Sequence, residues 1–245
     1  MSSHLRPVEH VDDWIAPRFG DVTGRVGSTV PHGFAAYARI LHPLEDAEDE
    51  PATWSDVAAF TGSHEHALMQ FGAISRSPEW PGTEPEEGNL SPDRLERLCD
   101  VLDRHTPAEA ECFFALWEGY GWVHGSPGVV IMGSDEVVPP AFPPEVLNGP
   151  RLRHWGGRDY LVFRGGLRAA SEMGWHRDEW FSPQSPNLFW PADRSWCVAT
   201  EIDFDSTLVA GTAELVADVL AHQGLEAWSV GPEDSLTVDG DHLNR

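Results

Sequence analysis

From Trp196 to Phe204 apolar side chains recur at every second position but for Thr200, and this alternation constrains the fold more than any other feature of the chain. It is the period of an extended strand and not of a helix. On that reading Trp196, Val198, Thr200, Ile202, Phe204 and Leu208 share one face, while Cys197, Ala199, Glu201, Asp203, Asp205 and Thr207 share the other. The first is a core face. The second stacks three carboxylates two residues apart, which repel unless arginine, a metal ion or bulk water compensates them. The bland expectation is the solvated outer face of an antiparallel sheet. The sharper one is a cation site or an arginine-paired polar floor.

Further strands are expected near residues 35–41, 112–118, 159–164 and 225–230, where β-branched and aromatic residues concentrate between turn signals. Helices are expected near 54–61, where Thr53 caps and Gly62 stops, near 92–104, behind Ser91-Pro92, and near 212–223. Thr106-Pro107-Ala108-Glu109 has the spacing of another capping box, and 128–132 that of a short strand. The fold class expected is α+β, a mixed, mainly antiparallel sheet with helices packed on it. Residues 1–29 read as an irregular arm that drapes onto the domain and 30–245 as a single domain, with a subdomain boundary possible in the proline-rich stretch near 139–150. The polar residues after Gly231 read as a frayed end.

The balance of 40 acidic against 16 basic residues gives a formal net charge of −24. An average surface of that sign repels nucleic-acid backbones and anionic membranes. All the basic residues are arginine. The absence of lysine excludes lysine Schiff-base chemistry, a Walker-type phosphate loop and a protein-kinase site. Cys99, Cys112 and Cys197 are widely spaced in apolar surroundings, which suits reduced thiols, and no apolar run reaches membrane-spanning length, so a cytoplasmic setting is expected.

Arg151, Arg153, Arg158, Arg164, Arg168 and Arg177 crowd one short stretch. They are expected either to pair with Glu201, Asp203 and Asp205 or to hold an anionic group in a cleft. His64 and His66 form a weak metal motif, and further histidines lie at 124, 154 and 176. Trp175 to Phe181 brackets His176 with aromatic rings, as a pinned loop or a pocket wall. Trp190, Asp193, Arg194 and Trp196 form a turn covered by two indoles, which is also how a small polar pocket is built.

Asp203-Phe204-Asp205-Ser206-Thr207, closing an apolar strand, resembles the first motif of the haloacid dehalogenase superfamily. The resemblance implies Asp203 as nucleophile, Asp205 as general acid and base, and magnesium between them. The sequence departs from that family in having no lysine after Thr207 and no arginine there but Arg245. Trp190-Pro191-x-Asp193-Arg194-x-Trp196-x-Val198-x-Thr200-Glu201-Ile202-Asp203, together with Trp117-Glu118-Gly119-Tyr120-Gly121, resembles a group of functionally uncharacterised actinobacterial proteins. That resemblance implies a bacterial cytoplasmic setting and carries no activity with it.

Two functions are expected from these features. The first is a non-enzymatic binding protein, regulatory or toxin-neutralising, which needs no cofactor. It would engage a protein or a small molecule through an acidic surface bearing Trp190, Asp193, Arg194, Trp196, Arg158 and His176. The alternative is a magnesium-dependent hydrolase or phosphatase using Glu201, Asp203 and Asp205.

Overall fold

The computed structural model describes residues 4–11, 13–21, 23–76, 78–129, 137–153, 157–177 and 179–244. The expected strand over 128–132, His154 and Asp178 therefore fall wholly or partly outside the described residues. The fold is α+β, as the alternation implies. Its main sheet contains β1 (Arg6–Pro7), β2 (Ala36–Leu41), β3 (Cys112–Trp117), β4 (Arg151–Arg153), β5 (Asp159–Gly165), β6 (Leu188–Pro191), β7 (Cys197–Thr200), β8 (Ser206–Gly211) and β9 (Ala227–Val230). Their order is β1-β5-β3-β6-β7-β8-β2-β9, with β4 paired beside β1 on the same edge of β5. Every pairing among them is antiparallel.

Three longer helices accompany the sheet: α1 (Trp54–Thr61), α2 (Pro92–Asp103) and α3 (Ala213–Ala221). Thr53 accepts from the Asp56 N–H and Asp56 returns the bond, while Gly62 closes α1 at φ 76°. Thr212 caps α3 through the Leu215 N–H. Helices α2 and α3 lay Leu95, Leu98, Val101, Leu215, Val216 and Val219 on Ile40, Phe114, Phe163, Phe189, Val198 and Val209 of the sheet.

The opposite face of the sheet is also buried, against the expectation of a solvated outer face. Tyr37, Ala115, Tyr160, Val162, Leu188, Trp190, Cys197, Ala199 and Leu208 project from it. Trp14, Ile15, Val26 and Val30 of the N-terminal segment and Leu236 of the C-terminal segment cover them. Burial of a large apolar side chain stabilises by roughly 1.5–3 kcal/mol, so the N-terminal segment drapes onto the domain as part of its core, and the residues after Gly231 are not a frayed end. They are joined to each other: Val26 N–H donates to Asp234 O at 3.0 Å, Gly27 N–H to Pro232 O at 2.8 Å and Leu236 N–H to Gly24 O at 2.8 Å. Gly24, at φ 83°, brings its backbone against the Thr237 methyl, where a Cβ has no room.

Two further expectations change. Residues 106–110 form a turn, not a helix, with Thr106 Oγ1 donating to Leu102 O at 2.6 Å and Glu109 at φ 62°. In the proline-rich stretch near 139–150, Phe142 and Val146 pack into the main core. The alternating run after Trp196 is not one strand but a hairpin: β7 ends at Thr200, residues 201–205 turn, and β8 returns with Thr207 opposite Thr200.

A candidate ligand-binding cavity

The hairpin turn redistributes the three carboxylates. Phe204 N–H donates to Glu201 O at 3.2 Å and Asp203 N–H to Glu201 Oε2 at 2.7 Å, which tightens the turn. Gly88, at φ 72°, lets the neighbouring loop approach this tip, its N–H donating to Phe204 O at 2.9 Å where a Cβ would strike Ile202 O. Two residues apart on a strand, Asp203 and Asp205 would share a face. On this turn they line different recesses.

Glu201 and Asp203 face a cavity of about 380 Å3 between the second face of the sheet and the joined terminal segments. Its floor is Tyr160, Leu188 and Ala199, its far wall Thr23, Gly24, Ser28, Thr29 and Thr237, and its rim Arg158, Glu201, Asp203 and Phe204. Alanine at 199 leaves space that a larger side chain would fill. Arg158 spans the rim: one arm of its guanidinium pairs with Glu201 and Nη2 donates to Asp203 Oδ2 at 2.6 Å, while the group lies 6.0 Å over the Trp117 ring. Such a doubly held guanidinium is positioned more firmly than an isolated surface pair.

Asp205 turns to a separate polar recess lined by Arg76, Glu79, Glu84, Glu87 and Trp80. Its partner is Arg39, a strand residue with no solvent exposure, whose Nη2 lies 3.4 Å from Asp205 Oδ1. Arg39 also donates to Ser206 Oγ at 3.0 Å, Ala67 O at 3.2 Å and Met69 O at 2.8 Å, and lies 5.4 Å over the Trp54 ring. Burial lifts the Asp205 carboxyl above its usual range, opposed by the guanidinium.

The site implied by the dehalogenase-like motif is therefore not assembled. Asp203 and Asp205 each accept from a different arginine and line different recesses, and they sit in a turn between antiparallel strands. Among the described residues no group of three or more histidine, cysteine, aspartate or glutamate side chains is arranged to hold a metal ion. Magnesium between the two aspartates does not fit this arrangement.

The other sequence candidates are dispersed. Trp190 is buried on the second face, stacked on Phe113 at 5.9 Å and edge-on to Trp14 at 6.0 Å. Trp196 is buried on the first face, its Nε1 donating to Thr106 Oγ1 at 3.0 Å. The two indoles thus belong to opposite cores and make no common surface. Asp193 accepts from Ser195 N–H at 3.0 Å, and Arg194, at φ 58°, lies 5.4 Å over Trp14. His176 sits on a separate hairpin of Gly174–Arg177 and Trp180–Pro183, stacked on Phe181 at 4.2 Å. His66 donates to Asp241, which takes it into a structural role rather than a metal site.

Of the crowded arginines, Arg158 meets the hairpin carboxylates. Arg151 pairs with Glu118 at 2.5 Å, Arg153 with Asp159 at 3.5 Å, Arg164 with Glu111 at 3.3 Å and Arg168 with Asp100 at 2.7 Å.

Beneath the hairpin runs a buried polar chain that the sequence reading missed. His42 Nδ1 lies 2.5 Å from Glu86 O, and a carbonyl only accepts, so Nδ1 carries the proton. Nε2 then accepts from Thr207 Oγ1 at 2.9 Å, and Thr207 accepts from Thr200 Oγ1 at 2.8 Å. Asn187 Nδ2 donates to Thr200 O and to Tyr120 Oη, both at 3.1 Å, while its Oδ1 accepts from Trp117 N–H at 2.8 Å. Burial lowers the His42 pKa to about 4, so the imidazole is neutral near pH 7. Asn187 and Thr200 of this network themselves line the cavity beside its floor. Tyr160, also missed as a site residue, was legible only as a strand residue sharing a face with Val162.

No protein-family model, curated protein or solved structure matches the chain. Among the described residues no helix is long and apolar enough to cross a membrane.

Proposed function

We propose that the protein is a non-enzymatic cytoplasmic binding protein, and that it holds a small molecule between the second face of its sheet and the joined terminal segments. The observation that carries this reading is the cavity of about 380 Å3, with an apolar floor and a single guanidinium held by two carboxylates at its rim. A concave, mainly apolar site with a few fixed polar groups is the usual form of a small-molecule site. Three unpaired buried thiols suit a reducing compartment. Kinship with the actinobacterial proteins named above remains part of the proposal. It rests on the segments Trp117–Gly121 and Trp190–Asp203, the second of which supplies Ala199, Glu201 and Asp203 to this cavity.

A screen of neutral and charged fragments by ligand-observed NMR tests the reading. Fragments that bind the wild type and are displaced by Ala199→Phe, which fills the floor, support it. A screen with no binders, or binders indifferent to Ala199→Phe, overturns it.

A further inference from the structure

Among the described residues lining the cavity, Tyr160 is a deeply placed polar side chain whose bonding is unfinished. Tyr160 is only 6% exposed, yet its hydroxyl makes no hydrogen bond to any described residue. The Trp14 and Trp80 indole nitrogens are sealed from solvent without a partner; the Tyr160 oxygen is not among such sealed atoms. A side chain so deeply placed keeps that access through the cavity it lines. A ligand group that accepts from this hydroxyl replaces its bond to water, a net gain of roughly 0.5–1.5 kcal/mol.

The direction of that bond follows from the phenol itself, whose ring draws electron density from the oxygen and makes the hydroxyl a better donor than acceptor. Tyr160 is thus set to donate. Arg158 itself is already held by Glu201 and Asp203. A ligand anion would have to displace a carboxylate and enter a rim of net negative charge. An organic cation would be desolvated against Leu188, Ala199 and Phe204 with both rim carboxylates already engaged.

We infer that the cavity takes an uncharged, largely apolar molecule whose carbonyl oxygen accepts a hydrogen bond from Tyr160. This rests on the proposal that the cavity is a ligand site, and adds the class of ligand.

Three probes of equal ring size separate the two claims: 4-fluoroacetophenone, 4-fluorobenzoate and 4-fluorobenzylammonium, each titrated against the full chain by fluorine NMR. The ketone is expected to bind most tightly, Tyr160→Phe to weaken it about tenfold, the loss of one hydrogen bond, and Ala199→Phe to abolish it. Benzoate or benzylammonium binding as tightly as the ketone, or ketone binding unchanged in Tyr160→Phe, overturns the ligand class and leaves the cavity reading standing. If none of the three binds, or if Ala199→Phe leaves binding intact, both fall. Near-ultraviolet circular dichroism of each variant shows whether the fold is kept. Should Ala199→Phe not fold, Leu188→Trp tests the same space.

Discussion

Arg39 Nη2 lies 3.4 Å from Asp205 Oδ1, with the guanidinium wholly withdrawn from solvent, so β2 is tied to the hairpin turn by a buried charge. The same guanidinium donates to the carbonyls of Ala67 and Met69. A buried ion pair contributes little over an apolar replacement of both partners, but removing one partner strands the other.

Arg39→Met leaves two carbonyls and Asp205 without their donor, and Asp205→Ala leaves a buried cation. Each is expected to destabilise by about 3–5 kcal/mol in urea denaturation. The double variant should cost less than the two single losses combined, since both remove one interaction. Additive losses would show that the pair is not coupled.

Acid should unfold the protein through His42. The unfolded imidazole titrates near 6.5 and the native one near 4. Between these values the unfolded chain binds more protons, so this contribution is intact above pH 6.5 and is lost as pH falls toward 4. It amounts to about 3 kcal/mol. His42→Gln should flatten the pH dependence of the urea midpoint over that window; an unchanged slope would assign the acid sensitivity elsewhere.

The C-terminal segment is a structural member. Asp241 is almost wholly buried and accepts from His66 Nε2 at 2.9 Å, Gln70 N–H at 3.1 Å and Asn244 N–H at 2.9 Å. Burial alone would raise its pKa, but the bonds from Asn244, Gln70 and His66 outweigh it and bring it to about 2. Asp241→Ala is expected to cost about 2–3 kcal/mol by leaving buried donors unpaired. Hydrogen exchange should then quicken at Gln70 and in residues 232–237. Uniform protection in the variant would contradict the clamp.

The thiols should be silent in the native state. Burial raises Cys99 and Cys112 to about 12 and Cys197 still further. Since the thiolate is the reactive form, a disulfide reagent should label none at pH 8 and all three once denaturant is added. Rapid native labelling would indicate an opening of the strand end at Cys112 or of the core at Cys197.

Much of the local structure was legible because it is decided by neighbours in sequence. Thr53, Asp56 and Gly62 specify α1 within one short segment, and Thr212 does the same for α3. The strands at 112–117 and 159–165 announce themselves by apolar residues at strand spacing. The hairpin at 201–205 did not, because Ile202 and Phe204 keep the alternation running through a turn. That error placed Asp203 and Asp205 on one face, and with it went the paired-carboxylate site. Trp190 and Trp196 were grouped by proximity along the chain, although the turn between them sends one indole to each face of the sheet.

The sequence by itself determined an α+β protein, its three longer helices, two of them side-chain-capped, several of its sheet strands and its large negative charge, since period, capping and charge are local or additive properties. Only the tertiary structure decided that the chain's two terminal segments close over the second face of the sheet. It alone placed Arg39 in the interior, joined Arg158 to Glu201 and Asp203, and left the Tyr160 hydroxyl open to a cavity. Each of these depends on which distant groups compete for one donor or one patch of apolar surface, and that competition is settled by three-dimensional neighbours that no spacing along the chain reveals.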